Sequence, residues 1–459
     1  MGKELLEKYT DLYKGIRDQK DTVTWRTLII TIRELLGETL PDYRKIKKRY
    51  YSKGRKLIKE LVRKTYLETL IPEIEYAVGI RGIAGRGGED LDYLLFNARH
   101  FPEPLLWNLA NYIKLRGKKV AVINPVGHYN DGQTRVIGPA RFFRKIKNLV
   151  ILSSTQTLLG GSVSVLSNVI RLLRNPDFAR KVSQVSVVIP MFGGSRGHRL
   201  GQSEEVGFEV MEAGFYAKEL SLTTSDLLEK VKKESKKIPV VRFYSVDIHN
   251  DEYPAHVFRE AGFGFFSIDS SGALGSGILE IIKRKKLTKI PIKLIVCDKG
   301  AVPRTQRLSK KILSIGGRAF EGLQIIYIGK KRVAAGKVTS AEIEKIETFV
   351  KKDGKIIVKP AKFSGRPSFQ NVTLVFSDDM VDTGGSAEKD VVFISKHFPN
   401  ASLKIFAASH PVFSKGFGAM KRIGADYYVL GNSLNWEGLD ERSGVTLVDF
   451  SPSIYKAIK

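Results

Sequence analysis

From about residue 103 onward the sequence alternates between stretches of helical spacing and short apolar runs. The runs are Val120–Ile123, Leu149–Leu152, Val185–Ile189, Val240–Tyr244, Lys293–Val296, Leu323–Ile328, Val372–Phe376 and Lys404–Ala407. Near-continuous apolar runs separated by helices predict strands buried on both faces, which is the pattern of an α/β fold with mostly parallel sheets. Residues 1 to about 75 read differently: Leu57, Ile58, Leu61 and Val62 recur at helical spacing and strand patterning is almost absent, predicting a small helical region. Between the two, Gly79 to Gly88 carries five glycines in ten residues, a composition that no helix or strand interior tolerates well. A linker is expected there.

The pattern also repeats. Val150 to Ser162 aligns with Leu374 to Ser386 at an offset of 224, each an apolar run leading into Gly-Gly-Ser and then a helical stretch. Two copies of one folding unit are expected. Where the first copy has Ser154, Thr155 and Leu158, the second has Asp378, Asp379 and Asp382, so the acidic equipment belongs to the second.

Composition changes this picture in three ways. At 459 residues and 42% hydrophobic content the chain is long enough for two or three domains with cores, which excludes a disordered chain. With 76 Lys and Arg against 48 Asp and Glu, the net charge of +28 favours acidic partners without choosing among them. Cys297 is the only cysteine, so an intramolecular disulfide and a Cys-rich zinc site are excluded, and a reducing compartment, the cytoplasm, is expected. The first residues lack an apolar signal region and no window approaches the ~18 apolar residues of a membrane helix, so a soluble, non-exported protein is expected. Positive charge is densest between Asp42 and Lys64, with eleven Lys or Arg, two acids, and Tyr43, Tyr50 and Tyr51 interleaved. Such a helix can meet nucleic acid or a membrane surface; a solvated face or a subunit contact is the favoured reading.

The chemistry concentrates in Val375 to Ser386. Two acids, Asp378 and Asp379, stand where a buried strand ends, and Asp382, Thr383, Gly384, Gly385 and Ser386 then open a helix. Ligands of open α/β sheets bind at that strand edge. Backbone N–H groups of Thr383 to Ser386 at a helix N-terminus form an anion cradle suited to a sugar 5-phosphate. The adjacent carboxylates suit vicinal ribose hydroxyls, or magnesium held through water. Elsewhere, Asp247 and His249 fall two residues apart on a strand and so share a face, a candidate magnesium or phosphate site.

These twelve residues closely resemble the phosphoribosyl diphosphate loop of the phosphoribosyltransferase superfamily, and the chain from about Lys118 to Lys459 resembles ribose-phosphate diphosphokinase. The resemblance continues in order along the chain. His128 to Gln133 is similar to the family's Phe-Ser-Asp-Gly-Glu, and Val188 to Arg199 to its Val-Ile-Pro-Tyr-Phe-Gly-Tyr-Ala-Arg-Gln-Asp-Arg. Asp247-Ile-His249 is similar to Asp-Leu-His, and Asp298 to Ala301 stands where the family has Asp-Ala-Gly-Gly. Lys330-Lys-Arg332 follows the place of the flap, and Ala408 to Ser414 matches Ala-Thr-His-Pro-Val-Leu-Ser. Gly197-His198 replaces Gln-Asp, Gln133 replaces an acid, and the segment after Lys330 is longer than usual.

The resemblance implies tandem phosphoribosyltransferase-like domains with parallel sheets, preceded by a helical extension. The expected limits are 1–90 for the extension and linker, 91–280 for a first, ATP-side domain with a degenerate loop, and 281–459 for a second, ribose 5-phosphate-side domain. It implies catalytic Lys330 and Arg332. Ribose 5-phosphate would be bound by Asp378, Asp379, Asp382, Thr383, Gly384, Gly385 and Ser386, and ATP by Tyr129, Asp131, Gln133, Arg196, His198 and His249. Mg2+ would be held by Asp247, His249 and Asp298. The implied reaction transfers the diphosphoryl group of Mg-ATP to O1 of ribose 5-phosphate, in a homo-oligomer with a hexamer as the usual family form. A non-catalytic regulatory homologue and a phosphoribosyltransferase are the alternatives.

Overall fold

The computed structural model describes residues 89–459 apart from 99–100, 124–125, 129–133, 137–142, 155–162, 194–201, 204–206, 209–211, 235–237, 249–251, 297, 335–336, 353–354, 363–364, 435–437 and 440–441. The helical extension, the glycine-rich linker and the basic segment 42–64 lie outside the described residues, and every described element falls within one compact unit, 73–459.

The first half runs β1 (Glu89–Asn97), α1 (Glu103–Leu115), β2 (Val120–Ile123), β3 (Val126–His128), β4 (Thr134–Val136), β5 (Phe143–Leu152), α2 (Val163–Ile170), α3 (Pro176–Ala179), β6 (Val182–Ile189), β7 (Gln202–Ser203), β8 (Gly207–Phe208), α4 (Glu212–Glu234), β9 (Val240–Val246), α5 (Glu252–Glu260) and β10 (Gly264–Ile268). The second half runs α6 (Ser271–Arg284), β11 (Ile292–Val296), α7 (Val302–Gly316), β12 (Leu323–Ala334), β13 (Lys337–Lys352), β14 (Lys355–Ala361), β15 (Val372–Val381), α8 (Gly385–His397), β16 (Ala401–Pro411), α9 (Gly418–Ile423), β17 (Tyr427–Gly431), β18 (Val445–Val448) and α10 (Ser451–Ile458).

The first sheet has the order β2-β1-β5-β6-β9-β10, all neighbours parallel. The second has β12-β11-β15-β16-β17-β18, again all parallel, with β13 and β14 added antiparallel beyond β12. Setting β13 and β14 aside, the strands of each half follow one order in chain sequence, and the duplication read from two glycine-rich turns is repeated in the connectivity. The fold is α/β with two tandem phosphoribosyltransferase-like domains built on parallel sheets.

All eight apolar runs form strands. Most hydrophobic positions there are buried, Val240 at the start of β9 being exposed, and one apolar cluster extends from Leu94 and Val150 of the first sheet to Leu294, Val375 and Val429 of the second. A separate cluster fills the opposite face of the second sheet, where Ile295, Ile326 and Phe376 meet Ile394 of α8 and Ile423 of α9. The added length between Lys330 and Asp378 forms the β12–β13–β14 ribbon.

The helix that follows the last strand of each sheet packs on the other half, α6 after β10 and α10 after β18. α6, which contains the 280/281 position, packs on α7 and on β16 to β18 of the second sheet. α10 packs on α1 of the first: Ser451 Oγ donates to Leu105 O, Asn148 Nδ2 donates to Ile458 O at 2.8 Å, and the Tyr455 ring meets those of Tyr93 and Tyr112. The halves are therefore interlocked.

Candidate active site

In an open sheet of this order the chain leaves β11 toward one side and β15 toward the other, so a crevice opens between their carboxyl ends. Asp378 and Asp379 lie in that crevice, on β15 directly beside the end of β11 at Val296. Asp379 is 1% exposed, whereas Asp378 is partly open. The N–H of Asp379 donates to Asp378 Oδ1 at 2.9 Å, fixing one carboxylate against the next peptide.

Arg304 supplies the positive charge. On the first turn of α7, it is almost buried and places Nη1 at 3.7 Å from Asp378 Oδ1 and 3.5 Å from Asp379 Oδ1. Its Nε is buried and has no hydrogen-bond partner among the described residues. Burial, the neighbouring Asp379 carboxylate and a hydrogen bond with it push the Asp378 carboxyl well above the ordinary aspartate range, against the opposing pull of Arg304. Asp298, exposed in the turn between β11 and α7, adds further negative charge and accepts from the Ala301 N–H at 2.9 Å.

The loop after β15 is shaped by one glycine. Gly384, at the N-cap of α8, has φ +79° and lies where a Cβ would stand 2.9 Å from Ala419 O and 3.0 Å from Ile423 Cγ1. Both the left-handed backbone and the close approach of α9 require its missing side chain. Asp382 Oδ1 accepts from the N–H of Ser414 at 2.8 Å and from the Ser414 hydroxyl, and Arg422 Nη1 donates to Thr383 O at 3.0 Å. The acid of the loop thus ties it to the turn after β16, while Thr383, Gly384, Gly385 and Ser386 run into the start of α8, whose dipole favours an anion.

Asp247 stands one residue past the end of β9 at Val246, so the strand alternation expected to carry positions 247 and 249 does not reach it. It is 3% exposed and holds a left-handed φ of +37°, unusual for a residue with a side chain. Its N–H donates to Ile268 O, and its Oδ2 accepts from the hydroxyls of Ser270 and of Ser409, the latter at 2.6 Å. The next residue on β16, His410, is also buried, with Nε2 at 2.9 Å from Val246 O and Nδ1 at 2.8 Å from Ser433 Oγ. Burial lowers its pKa, opposed by the charges of Asp379 and Asp247. Residues at the end of β9 and in β16 therefore join the carboxyl edges of the two sheets, and Met191, Met380, Val412 and Leu434 form a small apolar contact beside them.

The structure brings Asp378, Asp379 and Asp382 to Ser386 together, and Arg304 joins them without having been singled out in the sequence. Lys330 and Arg332 lie within β12, paired with Ala341 and Val338 of β13, so the expected flap is the outer part of a hairpin. Tyr129, Asp131, Gln133, Arg196, His198 and His249 lie outside the described residues. Among the described residues no cluster of three or more His, Cys, Asp or Glu side chains offers a closed metal shell. Of the expected Mg2+ ligands, Asp247 is buried with Oδ2 accepting from Ser270 and Ser409, and Asp298 is exposed.

The fold is similar to the crystal structure of phosphoribosylpyrophosphate synthetase from Mycobacterium smegmatis, with TM-score 0.50 and 18% identity, over 80% of this chain and 97% of that one. Glucose-galactose binding protein GanP from Geobacillus stearothermophilus also aligns, at 9% identity over 80% of this chain and 89% of that one, but its TM-score of 0.25 carries no structural argument. No family model and no curated protein sequence matches the chain. The chain has a phosphoribosylpyrophosphate synthetase-like fold.

Proposed function

We propose that the protein is a ribose-phosphate diphosphokinase, which transfers the diphosphoryl group of Mg-ATP to ribose 5-phosphate. The observation that carries this reading is the pairing of Asp378 and Asp379 with the Gly384 loop at the end of β15, with Asp247 of the first half held to neighbouring β16 through Ser409. Asp378 and Asp379 accept hydrogen bonds from the vicinal ribose hydroxyls. Thr383, Gly384, Gly385 and Ser386 receive the 5-phosphate, and Asp382 holds that loop to Ser414. Arg304 keeps two adjacent carboxylates compatible within one enclosed site.

Tyr129, Asp131, Gln133, Arg196, His198 and His249 would bind ATP on the side of the first half, and Asp247, His249 and Asp298 would hold Mg2+, which when bound would offset phosphate charge. The anomeric hydroxyl attacks the β-phosphorus in line, the bond from that phosphorus to the α-phosphate oxygen breaks, AMP leaves, and the hydroxyl proton is lost. Lys330 and Arg332 neutralise charge as the diphosphoryl group transfers, a step in which positioning and electrostatics do most of the work. A cytoplasmic homo-oligomer completes the reading.

The test incubates purified protein with ATP, Mg2+ and ribose 5-phosphate and measures AMP together with 5-phosphoribosyl 1-diphosphate. Equal amounts of both products are expected. Ribose 5-phosphate binding without AMP would replace this reading with a non-catalytic homologue. Consumption of added phosphoribosyl diphosphate in the presence of a nucleobase would replace it with a phosphoribosyltransferase.

A further inference from the structure

β11 is a central strand of the second sheet, and four of its five residues, Ile292, Leu294, Ile295 and Val296, are buried hydrocarbon. The fifth is Lys293, 7% exposed. Its neighbour in the sheet register is Gln324 of β12, and Gln324 in turn neighbours Thr348 of β13. Nζ of Lys293 donates to Gln324 Oε1, and Gln324 Nε2 donates to Thr348 Oγ1 at 3.2 Å, forming a short polar row through an otherwise apolar layer. Nζ also lies 5.3 Å from the centre of the Phe398 ring. Among the described residues no carboxylate stands within ion-pair distance of it. An ammonium carries three donors, and one amide oxygen with one aromatic face leaves that capacity unmet.

An isolated ammonium in such a place is costly unless it gives up its proton or gains a counter-ion. Burial lowers the pKa of Lys293. Beside it opens a cavity of about 300 Å³, whose lining includes Lys289, Lys293, Phe320, Gln324, Gln370 and one carboxylate, the exposed Glu321. This cavity lies where β11, β12 and β15 begin, whereas Asp378 and the Gly384 loop lie where β11 and β15 end. The two places are at opposite edges of one sheet.

We propose that this cavity is a second anion-binding site, taking a compact carboxylate or phosphate whose negative charge pairs with the Lys293 ammonium. At the exposed rim the charges of Lys289 and Glu321 offset one another, so the attraction for an anion rests on buried Lys293, with Gln324 and Gln370 offering amide hydrogen bonds. The volume suits a ligand of a few heavy atoms and falls at the small end of ordinary ligand cavities. The proposal is independent of the reaction at the other edge.

The test follows the Lys293 amine by NMR in full-length protein carrying carbon-13 at the lysine ε position, with the resonance assigned by its loss in Lys293→Arg. Without added anion it is expected to titrate below the other lysines. Inorganic phosphate in one arm and malonate in another, each at constant ionic strength made up with chloride, are expected to return it to the ammonium position with saturation. The arm that saturates identifies the ligand chemistry as phosphate or carboxylate, and saturation in both assigns the site to compact anions generally. Lys293→Met and Gln324→Leu should each weaken anion binding at this site by about tenfold or more, roughly the loss of one charge-assisted hydrogen bond. Lys293→Met is read by loss of the anion-dependent shift at a methyl probe on Leu323. A resonance indifferent to both anions, or one that follows chloride equally, overturns the proposal. No turnover is measured, so the result stands apart from the fate of the diphosphokinase reading.

Discussion

The two halves share one strand order and differ where it matters chemically. In the first, β5 leads into Ser153 and Ser154, both buried; in the second, β15 carries Ser377 and Asp378 at those positions and Asp379 next, with Arg304 drawn in from α7. Topology provides a crevice in both. Side chains decide which crevice can hold a polyhydroxylated phosphate, and the acids need a buried cation beside them to remain together. The first half contributes instead through Asp247, held by Ser409 of the second.

The sharpest way to break this contrast is to give the second half neutral side chains. Asp378→Asn with Asp379→Asn should abolish phosphoribosyl diphosphate formation, by about three orders of magnitude or more, as expected when groups at the reacting centre are lost. Melting temperature should fall as well, since buried Arg304 loses both counter-charges. Turnover is therefore compared at a temperature where the variant is folded by circular dichroism, and undiminished turnover there would remove the assignment. Lys330→Ala with Arg332→Ala should lower kcat by about a hundredfold or more while leaving KM for ribose 5-phosphate nearly constant, because those charges act in the transition state. A change confined to KM would make the β12–β13 hairpin a binding surface only.

Replacing Gly384 by Val should weaken ribose 5-phosphate binding by about tenfold or more, because a left-handed backbone costs a side-chain-bearing residue roughly 1–2 kcal/mol before any clash with Ala419 O and Ile423 is counted. Titration calorimetry with ribose 5-phosphate measures it directly, and unchanged affinity would mean that the phosphate does not use this loop. Ser409→Ala removes one of two donors to buried Asp247 and should cost about 1–3 kcal/mol of stability by chemical denaturation.

The smallest effect concerns pH. Because the folded-state pKa of Asp378 is raised, the protonated carboxyl is favoured by folding: its destabilising contribution is full at pH above that raised value and is relieved as pH falls toward the ordinary value of 3.8. The carboxylate that accepts from ribose is lost over the same window. The acidic limb of kcat/KM for ribose 5-phosphate should therefore lie above 3.8, move to lower pH in Asp379→Asn and to higher pH in Arg304→Met. Limbs that coincide in all three proteins would detach Asp378 from the pH profile.

The sequence made the parallel sheets, the duplication and the acidic loop visible because each is written locally, in apolar runs and in residues a few positions apart. Arg304 was hidden among 76 basic residues, since its partners lie about seventy positions away and no spacing marks it. β13 and β14 escaped notice because an exposed ribbon does not show a clean inward and outward alternation: most of β14 is exposed, including Ile357 and Val358, and only lysines stand out between Lys351 and Lys362. Lys293 was absorbed into an apolar run, and its burial becomes apparent only when β12 is placed beside it. Crossed α6 and α10 leave no local trace at all.

That crossing governs the order in which the molecule can be made. Asn148 and Ile458 are joined across 310 positions, and Ser451 reaches Leu105 across 346. A ribosome adding roughly 5–20 residues per second therefore releases the first sheet well before the helix that covers it exists. During that interval Tyr93, Tyr112 and the α1 surface have no α10 to shelter them. The nascent first half has a defined vulnerability to aggregation, and a fragment ending before Ser451 is expected to need a chaperone or a supplied α10 peptide to remain in solution.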